Sequence, residues 1–105
     1  MNDPQAVFTA LADPTRRAVF ERLSGEGPAS ASQLASELPI TRQAISKHLA
    51  VLDDAGLVTR SSVGREIQYS AEPAALTDVT VWATRIDARW KRRLEKLQSQ
   101  FKGRS

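Results

Sequence analysis

The residues best equipped for chemistry in this chain are grouped, and they are polar rather than catalytic. Thr41, Arg42, Gln43, Ser46, Lys47 and His48 fall within eight positions. Arginine can donate a pair of hydrogen bonds to guanine, and an amide side chain can do the same for adenine. Lys47 and the hydroxyls of Thr41 and Ser46 suit phosphates or base edges. His48 has two readings: a structural histidine beside Leu49, or a contact to a phosphate or base edge. A second polar group follows, with Arg60, Ser62, Gly64, Arg65 and Gln68 around a turn. Arginines beside a turn can follow a phosphate backbone, or simply keep exposed strands soluble.

Other chemistries lack their residues. There is no cysteine and only one histidine, which removes thiolate sites and histidine clusters. No phosphate-cradling glycine loop occurs. Asp53 and Asp54 are adjacent near a helix end and face different directions, so they do not form a catalytic dyad. The chain is therefore not expected to be an enzyme, and no cofactor or metal is indicated. Its apolar runs are too short for a membrane span, and the N-terminus shows no signal-peptide pattern, so the expected compartment is the cytoplasm.

The elements that position the first group read as a helical pair. Ser30-Ala-Ser-Gln33 has capping-box spacing and opens a short helix with Leu34, Ala35 and Leu38 inward. Pro39-Ile40 breaks it, at a turn where glycine is common. Thr41 caps a further helix, Arg42 to Ala55, whose Ile45, Leu49 and Leu52 form one buried stripe. Gly56 suits a left-handed helix end, with Leu57 as its apolar partner. Two shorter helices come first: Gln5 to Leu11, then one started by Asp13-Pro14 that runs to about Leu23 and ends in Gly25-Glu-Gly-Pro28. Leu57–Ser61 and Glu66–Ser70 read as two strands, joined by a turn over Ser62 to Arg65. The spacing thus predicts a mainly α chain with a small β-hairpin: a winged helix-turn-helix of five helices and a two-stranded wing, as a single domain over residues 1–105.

The last helix, about 74–101, carries Leu76, Val79, Ala83, Ile86, Trp90, Leu94, Leu97 and Phe101 in steps of three and four, close to a heptad seam. At 1.5 Å per residue the stretch from Leu76 to Phe101 spans about 39 Å, long for the body beneath it. A seam that bears Trp82 and Trp90 and outruns its own domain signals a dimer interface. The expected interface residues are Val7, Phe8 and Leu11 on the first helix, with Val79, Trp82, Ala83, Ile86, Trp90, Leu94 and Leu97 on the last. Charge divides at the same place. Residues 1–84 hold seven Lys/Arg against ten Asp/Glu, and residues 85–105 hold eight against two.

Several segments together carry a resemblance: Ala10-Leu-Ala-Asp-Pro-Thr-Arg-Arg17, Gln33-Leu-Ala35, Ala44-Ile-Ser-Lys-His-Leu-Ala-Val-Leu52, Ala55-Gly-Leu-Val58, Gly64-Arg65 and Tyr69. In this order, over roughly residues 5 to 100, the chain resembles the ArsR family of winged-helix repressors. The resemblance implies a dimer that binds an inverted repeat at a promoter. It places the DNA reader on Thr41, Arg42, Gln43, Ser46, Lys47 and His48, and the wing on Ser62 to Gln68. It also implies that first and last helices pair across a two-fold axis. The chain departs from the family's metal sensors: Ser30-Ala-Ser-Gln-Leu34 stands where they carry a cysteine pair, and Trp82 to Leu97 has no histidine. The non-metal branch is the closer match. The expected partners are double-stranded DNA and a second copy of the chain, with no membrane. The competing readings are a winged helix that has become a protein-interaction module, and a non-specific architectural DNA protein. The weak charge of residues 1–84 disfavours the latter.

Overall fold

The structure, a computed structural model, describes residues 4–102. In chain order it contains α1 (Pro4–Ala12), α2 (Pro14–Glu26), β1 (Ala29–Ser30), α3 (Ala31–Glu37), α4 (Arg42–Asp54), β2 (Val58–Val63), β3 (Glu66–Ala71), a 3-10 turn (Pro73–Leu76) and α5 (Thr77–Lys102). The fold is the expected winged helix-turn-helix with five helices. The tail residues 103–105 and the Phe101 side chain lie outside the described residues.

The sheet has three strands rather than two, in antiparallel order β1-β3-β2. Ala29 pairs with Tyr69 and Ser30 with Gln68. A two-residue strand cannot display alternation, so nothing in its own sequence announces it. Ser30 serves twice, as the end of β1 and as the cap of α3, where its Oγ accepts the Gln33 N–H at 3.1 Å. Only this half of the capping box forms, because the Gln33 amide turns to Glu37 instead, at 3.5 Å.

Helix α2 runs through Gly25 to Glu26, past its expected end. A helical glycine costs only about 1 kcal/mol. The stop comes at Gly27, which takes φ +96° and donates its N–H to the Leu23 carbonyl. The wing turn is tighter than expected: Val63 pairs with Glu66, leaving Gly64-Arg65 as a two-residue loop. Gly64 has φ +63° and Arg65 a negative φ, the pattern of a type II′ hairpin turn with glycine first.

The junction between α1 and α2 explains the Asp13-Pro-Thr-Arg-Arg17 run. Asp13 accepts the Arg16 N–H at 2.8 Å and caps α2. The Arg16 guanidinium donates to the Ala10 carbonyl at 2.6 Å and the Thr9 carbonyl at 3.2 Å, and Arg17 donates to Leu11 at 3.1 Å. Arginines in a first turn oppose their own helix dipole, but here they serve the last carbonyls of the helix before it.

The core is formed by α1 to α4 and the base of the wing. Leu34, Ile45, Leu49, Leu52 and Leu57 are fully buried, with Val7, Val19 and Leu23 around them. Arg22 pins the far end of α2 to α3: its guanidinium bonds Glu37 at 2.6 and 3.2 Å and the Gly27 carbonyl at 2.9 Å. Helix α4 ends in a Schellman motif. Leu57 N–H donates to Leu52 at 2.9 Å, Gly56 N–H to Asp53 at 3.0 Å, and Gly56 takes φ +76°.

Two stability predictions follow from this packing. Leu49→Ala removes a fully buried side chain and should cost about 2–5 kcal/mol in chemical denaturation; a change below 1 kcal/mol would contradict the assigned core. The second concerns Asp13, whose carboxyl is held below its ordinary value of 3.8 chiefly by the Arg16 N–H. The folded chain then binds that proton more weakly than the unfolded chain. The stabilisation is full above the ordinary value and is lost as pH falls through the lowered one. Asp13→Asn keeps an acceptor without the charge. Its melting temperature should lie below wild type at pH 7, and the gap should narrow toward pH 3. A gap that stays constant with pH would refute the assignment.

Candidate nucleic-acid interface

Helix α4 is positioned by what it buries. Ile45, Leu49 and Leu52 are completely enclosed. At about 100° per residue, Arg42, Gln43, Ser46, Lys47 and Ala50 then share the outward arc, and all five are exposed. Thr41 precedes them as the N-cap, its Oγ1 accepting the Ala44 N–H at 3.1 Å. The helix start is clear of acidic residues, so its free N–H groups favour an anion.

The turn before α4 is closed without glycine. Leu38 N–H bonds the Leu34 carbonyl at 2.9 Å, and Ile40 N–H bonds the Leu38 carbonyl at 2.7 Å. The second bond spans three residues centred on Pro39, whose ring-locked φ suits an inverse γ-turn. Proline therefore builds this corner where a glycine is common.

His48 does not join this exposed arc. It lies roughly 170° around the helix from the centre of that face and is half-buried. It stands close enough to the α2 start to contribute electrostatically to the lowering of the Asp13 carboxyl. Of the two readings of this histidine, the placement matches the structural one.

The wing residues divide by strand face. Cross-strand register puts Arg60 opposite Tyr69 and Ser62 opposite Ile67 on one face, and Ser61 opposite Gln68 on the other. Arg60, Ser61, Ser62 and Ile67 border a shallow groove. Gln68 instead pairs with Ser30 and is half-buried, so it stands apart from Arg60 and Ser62. Arg60 already has a partner in Asp53 of α4, at 3.5 Å. Both side chains are well exposed, so the pair is weak and open to exchange with a phosphate. Gly64 and Arg65 form the exposed tip. Val63 and Ile67 are also exposed there, at 57% and 45%. The core ends below the tip and leaves Ile67 uncovered.

The residues expected at an interface between copies separate into two groups. Val7 is 1% exposed and belongs to the chain's own core, which corrects its place in an open surface. Leu11 and Val79 are half-buried against that core. Phe8, Trp82, Ala83, Ile86, Trp90, Leu94 and Leu97 are exposed. Phe8 and Trp82 meet edge to face at 5.3 Å, which ties the two helices together. Val81 is an exposed apolar residue that the seam omitted. The radius of gyration is 19.2 Å, against about 13 Å for a compact chain of this length, so α5 stands well clear of the body.

Comparison with known proteins agrees with this geometry. A helix-turn-helix domain family matches residues 11–61. The HTH-type transcriptional regulator Rv2034 of Mycobacterium tuberculosis is 41% identical over 91 residues, covering 87% of this chain and 81% of that protein. The ArsR-like transcriptional regulator from Rhodococcus sp. RHA1 superposes with a TM-score of 0.75 at 44% identity, over 90% of this chain and 89% of that one. This chain belongs to the ArsR family of winged helix-turn-helix transcriptional regulators. The transcriptional repressor SdpR of Bacillus subtilis is 36% identical over 76 residues, 72% of this chain and 83% of its own length. Members of such a family bind double-stranded DNA. Among the described residues no helix is long and apolar enough to cross a membrane.

Sequence reasoning missed the roles of Arg16, Arg17 and Asp53. The arginine pair beside a helix start was a visible signal; the Asp53 contact depends on how the wing folds back on α4.

Arg42→Ala and Gln43→Ala should each weaken specific DNA binding by about 1–3 kcal/mol and relax base preference. Arg65→Ala should weaken all sequences alike and lower the salt slope by about one. His48→Ala should leave base preference unchanged. Competition binding with randomised sites reads all four, and unchanged preference in both the Arg42 and Gln43 variants would remove the reader assignment.

Proposed function

We propose that this protein is a sequence-specific transcriptional repressor that acts as a homodimer on a pseudo-palindromic promoter site, without metal sensing. The observation that carries this reading is the exposed arc of Arg42, Gln43, Ser46 and Lys47, backed by a stripe with no exposure at all. A buried stripe sets the rotation of a helix, so these side chains are presented rather than free to turn away. Such a helix enters a major groove with its first residues on base edges. A two-fold pair of readers matches half-sites about 10 bp apart. Occupying a promoter would then exclude polymerase.

Metal-triggered release lacks a donor set. The chain has no cysteine. Among the described residues no three His, Cys, Asp or Glu side chains are grouped to hold a metal ion. No step of the proposed mechanism runs through a metal.

The deciding experiment is a gel-shift titration on DNA from the protein's own upstream region, with excess unrelated DNA and a chelator at about physiological salt. Specific retardation that survives the chelator is expected. Retardation lost with the chelator would overturn metal independence. If neither this DNA nor any fragment in a genome-wide selection is bound specifically, the winged helix acts as a protein-interaction module instead.

A further inference from the structure

Neither the core nor the apolar seam accounts for one face of α5. Arg85, Arg89, Arg92 and Lys96 follow one another at steps of four, three and four. At about 100° per residue they fall within about 60° of one another, a single stripe along the helix. All four are exposed. The centre of the stripe lies about 125° round from that of Ile86, Trp90, Leu94 and Leu97. A second copy seated on the seam therefore leaves most of the stripe open. Arg89 stands at its edge, where it borders a groove with Ile86 and Trp90.

The stripe is not a ladder of ion pairs. Among the described residues none of its four cations meets a carboxylate. The ion pair of α5 joins Lys91 to Asp87 at 3.1 Å, on the other side of the helix. Glu95 stands about 90° from the centre of the stripe, outside it. Like charges four apart repel within a helix, and an anionic partner would remove that cost.

The body of the chain lacks what the stripe holds. Residues 1–84 carry seven Lys/Arg against ten Asp/Glu, so the part that presents the α4 arc repels a polyanion overall. Arg22 and Arg60 there are matched by carboxylates, and Arg16 and Arg17 are turned to the end of α1. Arg42, Lys47 and Arg65 remain for phosphates. Neutralising phosphates is what supplies sequence-independent affinity for DNA. We propose that the α5 stripe is a second DNA-binding surface, one that holds the phosphate backbone of a duplex without reading its bases. It adds to the repressor reading above and shares with it only the binding of duplex DNA.

The dimensions agree. By helical rise the four cations cover about 16 Å, and one strand of a duplex presents a phosphate about every 3.4 Å of axis. Three of the four are arginines, whose forked guanidinium suits phosphate oxygens. An anionic lipid surface would bury the seam and keep the stripe only at its rim. A duplex needs the stripe alone and leaves the seam free for a second copy.

The test is the salt dependence of binding to a long duplex that lacks promoter sequence, read by fluorescence anisotropy. Each neutralised phosphate contributes about 0.9 to the slope of log affinity against log salt. Replacing all four cations (R85Q, R89Q, R92Q and K96Q) should flatten that slope by roughly 3 to 4 per bound chain, with preference among sequences unchanged. Arg92→Gln alone should flatten it by about one. Lys91→Gln removes the same charge from the other side of the helix and should leave the slope as it is. Glutamine is a good helix former, and circular dichroism and sedimentation check the fold and mass of each variant. An unchanged slope in the fourfold variant, or equal flattening by Lys91→Gln, would overturn the surface. So would loss of binding to phosphatidylglycerol vesicles with the DNA slope intact, which would make the stripe a lipid contact. A wild type with a steep slope but no preferred sequence would instead sink the repressor reading and leave the stripe standing.

Discussion

Everything functional in this protein depends on one packing constraint, the enclosure of Ile45, Leu49 and Leu52. Each of these side chains is held without any exposure. Rotating α4 by a single residue position, about 100°, would put Ser46 and Asp53 where Ile45 and Leu52 pack and expose the leucine. Desolvating those groups unpaired costs kilocalories, as does wetting the leucine. The exposed arc proposed to read DNA is therefore a consequence of the core. Its orientation is set by residues that touch no ligand.

Two polar devices hold the frame around that helix. Arg22 clamps Glu37 and the Gly27 carbonyl, which sets α3 against α2 and hence the approach to the turn. The Asp13 and Arg16 pair closes the α1–α2 corner by capping two helix ends at once. The Arg22 side chain is only 10% exposed where it meets Glu37, and Asp13 meets Arg16 through its backbone N–H rather than as an ion pair. Their value is geometric, because each satisfies backbone or side-chain groups that would otherwise compete for other arrangements. His48 belongs to this frame: it stands beside the Asp13 cap, away from the arc that faces outward.

The architecture also separates its tasks along the chain. Residues up to about 76 build a body with one core, and α5 then leaves it. Only its first turns are anchored, through Val79 and through the Phe8–Trp82 contact. The remaining apolar side chains face solvent, which a single chain does not readily sustain over so large a patch. The basic residues beyond position 84 lie on this projecting helix rather than on the reader.

Much of this was legible in the sequence, for a physical reason. Helix caps, the α4 stripe, the Gly56 stop and the hairpin glycine are local rules, read from neighbours within one or two turns. Thr41, Asp13 and Ser30 all cap as their types require. The family-bearing segments follow the same logic, since they are the positions where caps and core coincide. What the sequence could not decide were matters of neighbours distant in the chain. The two-residue strand β1 exists only because β3 lies beside it. His48 turns from the reader, and Asp53 reaches Arg60, because of where α2 and the wing pack. Val7 is core rather than interface because α1 leans that side inward. Periodicity tells which residues share a face, but which face meets which partner is settled only when the elements close on one another.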